Sequence, residues 1–320
     1  MKKIILLFGG MSPEHEISCK SAQFVLNNID KKKYECTPIV ISKEGDWYIY
    51  NDINLINWEI SKKLVKIENI IETIKDCDVV FPIIHGTFGE DGRIQSLLEL
   101  FDIKYVGCDS KTSMLCMDKE YTKILANYNG IPIIPYKIAT IKSIKAIKKY
   151  PVVIKPANGG SSIGIGIAKN KKEAIIKYKE AKKYDNKVII EEFKTVRELE
   201  VAVLTEGKKC YISKVGEILT DGEFYDYENK YITSLCTTPK SAIPINVENK
   251  IYEYVERLVA IFNINDMARI DFFYVEHERK IYFNEINTIP GFTEISMYPA
   301  LMKESKFDPK KIITKLIENS

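Results

Sequence analysis

The chain has 320 residues, of which 45% are hydrophobic and 28% charged, and its formal net charge is +3. This length and apolar content suffice for two or three folded domains with their own cores. The small net charge and the even spread of basic residues argue against a nucleic-acid-binding protein, which needs a concentrated basic face. No apolar run approaches the roughly 20 residues of a membrane-spanning helix, which argues against a membrane protein.

The first residues and the cysteines both bear on the cellular compartment. The apolar run Ile4–Phe8 is short and ends in Gly9 and Gly10, so it predicts a first buried strand rather than a signal peptide. The seven cysteines are scattered without a CxxC pair, and their odd number argues against a disulfide framework or a zinc site. We therefore expect reduced thiols in a cytoplasmic protein.

Residues 1 to about 115 alternate between predicted strands and helices. Apolar runs predict strands at Lys3–Phe8, Glu35–Ile41 and Asp78–Ile84. Helices follow the first and third of these strands and end near Asn27 and Leu100. This is the doubly wound α/β pattern, in which ligands bind beyond the carboxyl ends of the strands.

Two loops lie at such strand ends. The first lacks the GxGxxG dinucleotide fingerprint, so by itself it indicates only a tight strand-to-helix turn. It carries Glu14 and Ser18, which are spaced i, i+4 and are expected to lie on one face of the helix start. The second loop, His85–Gly92, places His85 at the same edge, where we expect it to line a site without an acid–base role.

Residues 116–205 form a second predicted module. Lys119 lies on a helix that ends at Gly130, where it is equally consistent with a solvated helix face. Lys155 closes an apolar strand, which is not the setting of an ordinary surface lysine. The loop that follows, Asn158–Gly166, is rich in glycine and serine, so its backbone N–H groups and hydroxyls can approach phosphate oxygens. It has no GK[ST] sequence, so it predicts either a hairpin flap over phosphates or simply a flexible loop.

The end of this module has the residues that a nucleoside requires. A strand is predicted at Lys187–Phe193, after the helix Lys171–Lys183. Glu191 and Phe193 lie where a carboxylate and backbone groups can bond to an adenine, and Glu198 is placed to hold ribose hydroxyls.

The third predicted module spans residues 206–320. Its longest loop, from Glu217 to about Pro239, has the length of a functional lid. The helix Val247–Phe262 precedes two strands, and Phe307–Glu318 predicts a closing amphipathic helix.

These two strands, Arg269–Val275 and Lys280–Asn287, carry charge inside apolar sequence. Alternation places Arg269 and Asp271 on one side of the first strand, and Glu285 and Asn287 on one side of the second. If the strands pair with these sides together, Ile270, Phe272, Tyr282 and Asn284 point the other way. Two carboxylates and an amide are the hard oxygen ligands that magnesium accepts. The alternative is a salt-bridged sheet surface. The Pro-Gly turn and the Ser and Thr residues of Thr288–Ser296 favour a substrate loop.

Two motifs resemble those of the D-alanine–D-alanine ligases, members of the ATP-grasp superfamily. One is Arg269-x-Asp271 followed by Asn284-Glu-x-Asn287-Thr-x-Pro-Gly-Phe-Thr-x-x-Ser296. The other is Phe224-Tyr-Asp-Tyr-Glu-x-Lys-Tyr231, in the predicted lid. Family-like residues occur in all three modules. The resemblance implies an α/β protein with an ATP-grasp fold and an N-terminal doubly wound domain (1–115), followed by subdomains 116–205 and 206–320.

The resemblance also implies an activity and its ligands. The α-carboxylate of one D-alanine attacks the γ-phosphate of ATP, and the amine of a second D-alanine attacks the resulting acyl phosphate to give D-alanyl-D-alanine, a peptidoglycan precursor. Two magnesium ions, for which manganese may substitute, and a homodimer are implied as well.

The resemblance implies that Glu14, Ser18, His85 and Lys230 bind the first substrate, that Ser161 and Tyr231 join the modules over Glu14, and that Arg269 and the Gly291 N–H stabilise the oxyanion. It implies that Ser296 and Met297 contact the second substrate and that Asp271, Glu285 and Asn287 bind the metal. For the nucleotide, it implies Lys119, Lys155, Ser161, Ser162 and Lys230 at the phosphates, and Glu191, Glu192, Phe193 and Glu198 at the nucleoside.

The choice of second substrate is less constrained. Relatives that make D-alanyl-D-lactate have histidine at the position of Tyr231, which disfavours a depsipeptide product. The motif around Gly107–Lys119 resembles the vancomycin-resistance branch, so a D-alanine–D-serine ligase is the first alternative. Met297 suits the methyl group of D-alanine and favours the dipeptide. A non-catalytic nucleotide-binding protein is the second alternative, and the intact lysines and metal ligands count against it.

Overall fold

The computed structural model describes residues 1–50, 54–57, 64–219 and 237–320. The predicted lid motif Phe224–Tyr231 lies outside the described residues, and with it the predicted roles of Lys230 and Tyr231.

The first module is built on three parallel strands, with the first strand of the chain in the centre. Its elements are β1 (Lys2–Gly9), α1 (His15–Asn28), β2 (Tyr34–Ile41), β3 (Trp47–Tyr50), β4 (Leu64–Lys66), α2 (Ile70–Ile74), β5 (Val79–Pro82) and α3 (Arg93–Leu100). The sheet order is β4-β3-β2-β1-β5, and β1 pairs in parallel with both β2 and β5. Residues Ile4–Phe8 are buried throughout, as expected for a central strand covered on both faces. The doubly wound prediction is confirmed.

The central module is a four-stranded antiparallel sheet with two helices. Its elements are β6 (Tyr136–Ile138), α6 (Ile141–Lys145), β7 (Val152–Pro156), β8 (Gly166–Ala168), α7 (Lys171–Ala181) and β9 (Val188–Glu192). The order is β6-β9-β7-β8, and β7 pairs with β8 around the glycine-rich loop. This loop therefore connects two paired strands, as in the first of the two alternatives that its composition left open.

The third module is a six-stranded sheet with helices on it. Its elements are α4 (Ser110–Met117), α5 (Lys119–Tyr128), β10 (Arg197–Glu206), β11 (Lys209–Ile212), β12 (Gly216–Ile218), β13 (Thr237–Thr238), α8 (Ile245–Phe262), β14 (Met267–Val275), β15 (Lys280–Asn287), α9 (Met297–Glu304) and α10 (Pro309–Asn319). The order is β13-β12-β10-β14-β15, with β11 also on β10. A 3₁₀ turn, Glu276–Glu278, joins β14 to β15.

The packing differs from the predicted domain division in two respects. Helices α4 and α5 share a hydrophobic core with β10, β14 and β15, through residues such as Cys116 and Ala126. The predicted boundary at 205/206 falls inside β10, a strand of the third sheet. We propose that a boundary near residue 196 follows the sheets better.

The first and third modules share a second core. Apolar residues of β1 and α1 pack with α9 and α10, including Phe8, Val25, Leu301 and Leu316. Asp308 caps the start of α10, with Pro309 at its first position. Among the residues that the structure describes, no helix is both long and apolar enough to cross a membrane.

Candidate active site

A cavity of about 460 Å³ lies between the central and third sheets. Its apolar walls include Ile134, Val153, Ile167 and Phe273, which suit a flat aromatic base. Ten residues predicted to bind nucleotide or metal line this cavity: Lys119, Lys155, Ser161, Ser162, Glu191, Glu192, Phe193, Glu198, Asp271 and Glu285. Residues from three distant parts of the sequence therefore meet in one concave site.

The strands β14 and β15 pair with their polar sides together, which was the condition for a shared oxygen-rich face. Arg269 lies opposite Asn287, and Asp271 lies opposite Glu285. The register then shifts by one residue. Phe272 pairs with Phe283, so Asn284 is the additional residue of a bulge.

This bulge corrects the predicted orientation of Asn284. Its side chain lines the cavity and accepts a hydrogen bond from Lys155 Nζ at 3.3 Å, whereas strict alternation had turned it away. A bulge depends on the local pairing of two strands, so alternation in the sequence alone does not reveal it.

Arg269 is fixed by two carboxylates. Its Nε and Nη2 donate to Asp271 Oδ1 and Oδ2 at 2.8 and 2.7 Å. Its Nε also lies 3.1 Å from Glu200 Oε2, and Glu200 is only 3% exposed. No local sequence pattern indicates a role for Glu200, because only the pairing of β10 with β14 brings it opposite Asp271.

Lys119 and Lys155 both line the cavity with Asp271 and Glu285, but they come from different elements, α5 and β7. Lys119 is the first residue of α5, which a break at Asp118 separates from α4. Its Nζ donates to Gly159 O at 2.6 Å and lies 3.3 Å from Glu285 Oε2. Both lysines are buried, which supports a site function over a solvated helix face.

The carboxylate of Glu191 lies between two lysine ammonium groups. Its two oxygens lie 2.9 Å from Lys123 Nζ and 2.8 Å from Lys155 Nζ. Burial opposes ionisation, but the two lysines outweigh it and lower the pKa of Glu191 to about 2. In this structure the side chain holds two lysines, of which Lys123 was not predicted at all. Its contact with a nucleoside stays a prediction.

The remaining nucleoside residues lie at the outer end of the cavity. The side chain of Glu192 is 59% exposed and lies 3.6 Å from Lys194 Nζ. The backbone N–H of Phe193 donates to Pro151 O at 3.4 Å.

The flap reaches across to the first module. Ser161 and Ser162 both have positive φ angles, of 51° and 59°, and Ser161 Oγ donates to Glu14 Oε1. A Cβ atom on Gly160 would lie 2.9 Å from Glu14 Oε2, and one on Gly86 would lie 2.3 Å from it. Glu14 is thus enclosed by two glycines, which sequence spacing alone did not indicate.

The hydroxyl of Ser18, which was expected on the same helix face as Glu14, bonds to backbone groups of the first module. Ser18 Oγ donates to Ile83 O at 2.6 Å and accepts from the Gly9 N–H at 2.8 Å. The hydroxyl therefore joins the ends of β1 and β5, and the two residues share only the backbone bond from Ser18 N–H to Glu14 O.

His85 joins the first module to the substrate loop. Its Nδ1 lies 2.9 Å from Ile289 O and therefore carries the proton, so Nε2 accepts from Ser21 Oγ at 2.8 Å. Ser21 Oγ accepts in turn from the Phe292 N–H at 3.2 Å. Burial lowers the pKa of His85 to about 4, so the ring is neutral at neutral pH.

The substrate loop ends at the start of α9. Ser296 Oγ accepts from the Thr293 N–H at 3.0 Å and lies 3.0 Å from the position of a Cβ atom on Gly291. Ser296 is the N-cap residue of α9 but its hydroxyl does not cap the helix. The side chain of Met297 is buried, and its methyl group lies 2.6 Å from the position of a Cβ atom on Gly216. Its tip therefore packs into the core, and the predicted contact of Met297 with the second substrate stays a prediction.

The described residues contain no group of three or more histidine, cysteine or acidic side chains that could hold a metal ion. The predicted set has two carboxylates, of Asp271 and Glu285, and one amide, of Asn287, whose Nδ2 donates to Asp271 Oδ2 at 3.1 Å. This donor set fits magnesium, which takes one or two carboxylates and completes its six ligands with water and phosphate oxygens.

Comparisons with known proteins agree with this geometry. The family profile described as D-ala D-ala ligase N-terminus matches residues 3–108, and that described as D-ala D-ala ligase C-terminus matches residues 125–318. The D-alanine--D-alanine ligase of Caldicellulosiruptor bescii is 43% identical over 98% of this chain and 94% of its own. That of Clostridium acetobutylicum is 42% identical over 99% and 97%.

Solved structures give the same result. The VanG D-Ala:D-Ser ligase from Enterococcus faecalis has a TM-score of 0.88 at 34% identity, over 99% of this chain and 98% of its own. The D-alanine-D-alanine ligase from Coxiella burnetii has a TM-score of 0.85 at 30% identity, over 100% and 95%. With matching profiles, sequence relatives and folds, the chain belongs to the D-alanine–D-alanine ligase family and is an ATP-dependent ligase with the ATP-grasp fold.

Proposed function

We propose that the cavity binds ATP with its base between the apolar walls and its phosphates beneath the flap, and that the reaction occurs beside Arg269. The observation that supports this most is the meeting of Lys119, Lys155, Asp271 and Glu285 at the inner end of the cavity, next to the contact between Ser161 and Glu14. Phosphoryl transfer depends mainly on positioning and on neutralisation of charge, which such a cluster supplies.

The first step forms a bond between a carboxylate oxygen of the first D-alanine and the γ-phosphorus, and breaks the bond to the bridging oxygen that leaves with ADP. Glu14, buried under the flap, binds the ammonium group of this substrate. Lys119 and Lys155 hold the phosphates, and the closed flap excludes water that would hydrolyse the acyl phosphate.

In the second step the amine of the second D-alanine attacks the acyl carbon, phosphate leaves, and the amine loses a proton. Arg269 and the backbone N–H of Gly291 stabilise the oxyanion. Ser296 and the start of α9 bind the carboxylate of the second substrate, since the first N–H groups of a helix favour an anion.

Charge in the cavity supports a need for divalent cations. The ion pairs described above join Lys119, Lys123, Lys155 and Arg269 to an equal number of carboxylates. A nucleoside triphosphate therefore adds negative charge to a site whose cations are already paired with carboxylates. Magnesium held by Asp271, Glu285 and Asn287 would neutralise the phosphates and release Arg269 and Lys119 from their carboxylates.

D-Alanine is the proposed second substrate, and D-serine is the second candidate. The close fold match to a D-Ala:D-Ser ligase keeps D-serine in consideration. The curated relatives at 42–43% identity are named as D-alanine ligases, which supports D-alanine.

The test is phosphate release with ATP, magnesium and D-alanine alone, then with D-serine or D-lactate added, and identification of the products by mass. We expect D-alanyl-D-alanine as the main product in every mixture, and loss of phosphate release when the metal is removed by a chelator. A preferred D-alanyl-D-serine product would assign the chain to the second candidate. No release in any mixture would contradict ligation.

We also propose a cytoplasmic homodimer, because ATP is a cytoplasmic substrate and the family resemblance implies a dimer. Light scattering coupled to size-exclusion chromatography measures the assembly directly, and a monomer at working concentration would contradict it.

A further inference from the structure

Lys123 is a fully buried lysine for which neither the sequence motifs nor the proposed mechanism has a use. It lies one turn after Lys119 on α5 and has 0% exposure. Its ammonium lies 2.9 Å from Glu191 Oε1, while Lys155 lies 2.8 Å from Glu191 Oε2. One carboxylate is thus shared by two lysines, and the group of three keeps an excess positive charge.

Such a group is expensive to bury. A charge removed from water needs a partner and further hydrogen bonds, and an apolar side chain of similar size often does at least as well for stability. Lys123 Nζ and Glu191 Oε1 are shielded from solvent, and among the described residues neither has a hydrogen-bond partner beyond this ion pair. Stability alone therefore gives little reason for a lysine at this position.

The surrounding elements fix the geometry of the group. Glu191 lies on β9 opposite Val153 of β7, two residues from Lys155 on the same face of that strand. The start of α5 is attached to the end of β7 by the bond from Lys119 N–H to Ala157 O, at 2.9 Å. Lys123, Glu191 and Lys155 therefore keep their spacing, and a change at Lys123 acts on Lys155 through Glu191.

We infer that Lys123 is a positioning residue for nucleotide binding. Its ammonium group occupies one oxygen of Glu191, so that Lys155 keeps its charge available to phosphate. When Lys123 is replaced by an uncharged residue, Glu191 pairs with Lys155 alone. The two charges then compensate each other, so Lys155 attracts phosphate less. This inference rests on the proposed contact of Lys155 with the phosphates.

The test is calorimetric binding of the non-hydrolysable analogue β,γ-imido-ATP with magnesium to the full chain. We expect Lys123→Met to raise the Kd at least about tenfold. Adding Glu191→Gln should bring the Kd back to within about threefold of the unchanged protein, because it releases Lys155 from the carboxylate. In steady state, the KM for ATP should rise while the KM for D-alanine stays within about twofold.

Lys111 is an exposed lysine on the neighbouring helix α4, so Lys111→Met is the matched control and should leave the Kd unchanged. Unfolding curves check that each variant folds. If Lys123→Met does not fold, the charge-matched double variant decides the question, because weak binding by it would overturn the inference. A Kd for Lys123→Met within about twofold of the unchanged protein, or no recovery in the double variant, would also overturn it. Lys155→Met separates the two proposals, since unchanged binding by that variant would refute the phosphate site itself.

Discussion

At the scale of single residues, the lysine and arginine side chains of the site are fixed by ion pairs with carboxylates. Arg269 is the clearest case, because the group proposed to stabilise the oxyanion also compensates the buried Glu200. Its loss should therefore affect both catalysis and stability, and these two effects can be separated.

We expect Arg269→Ala to lower turnover by about a hundredfold, the usual loss when one oxyanion donor is removed. It should also lower the free energy of unfolding by about 3 kcal/mol, because it removes a cation that compensates the buried Glu200. Steady-state kinetics and denaturant unfolding measure the two effects. Adding Glu200→Gln should recover stability but not turnover, and recovered turnover would show that Arg269 does not touch the reacting atoms.

Glu90 gives a prediction about pH. Burial, with the nearby charge of Glu14, raises the pKa of Glu90 from 4.5 to about 8, while the Gly86 N–H donates to its Oε1. Between these two pH values the folded chain keeps a proton that the unfolded chain has lost, so stability falls as the pH rises. The maximal slope for one such group is about 1.4 kcal/mol per pH unit.

Glu90→Gln keeps the acceptor for Gly86 and cannot ionise. We therefore expect its unfolding free energy to exceed that of the unchanged chain at about pH 8 and to match it near pH 4.5. Denaturant unfolding at a series of pH values measures this, and an equal difference at every pH would show that Glu90 is already ionised in the folded state.

At the scale of elements, the flap between β7 and β8 depends on its close approach to Glu14. Gly160→Ala would place a Cβ atom 2.9 Å from the carboxylate tip and displace it from Ser161. We expect the KM for the first D-alanine to rise about tenfold while the KM for ATP changes by less than about threefold.

Gly159→Ala is the control for this prediction. A Cβ atom there meets nothing within 4 Å, although its φ of +129° strains the backbone of any residue other than glycine. Equal effects of the two substitutions on the KM for D-alanine would mean that loop strain, and not contact with Glu14, is responsible.

Local pattern predicted most elements but not every contact in the site. The strands β1, β14 and β15, the flap and the ends of α1 and α3 follow from apolar runs and turn residues, which act over short distances. Motif resemblance then identified Lys119, Lys155 and the acidic face. The bulge at Asn284, the pairing of Arg269 with Glu200, and the group around Glu191 depend on which strands meet, and this information is not local.

At the scale of the whole molecule, three sheets meet around one site, but they are not three independent bodies. Helices α9 and α10 share a hydrophobic core with the first sheet. Surface ion pairs lie along the same contact, such as that of Lys2 Nζ with Glu318 Oε2 at 2.9 Å. The central sheet has its own small core, which includes Ile144 and Ile190. The ligase fold thus combines a shared frame, made of the first and third modules, with a central module that carries the flap.

The packing of α10 on the first sheet has a consequence for how the protein is made. Synthesis runs from the amino end, and domains generally fold in that order as they emerge. Here β1 and α1 emerge early, but the side chains of Ile312, Ile313, Leu316 and Ile317 that cover them are added only after all three sheets have been translated. The apolar surface of the first module therefore stays uncovered until the ribosome has translated all three sheets and α10.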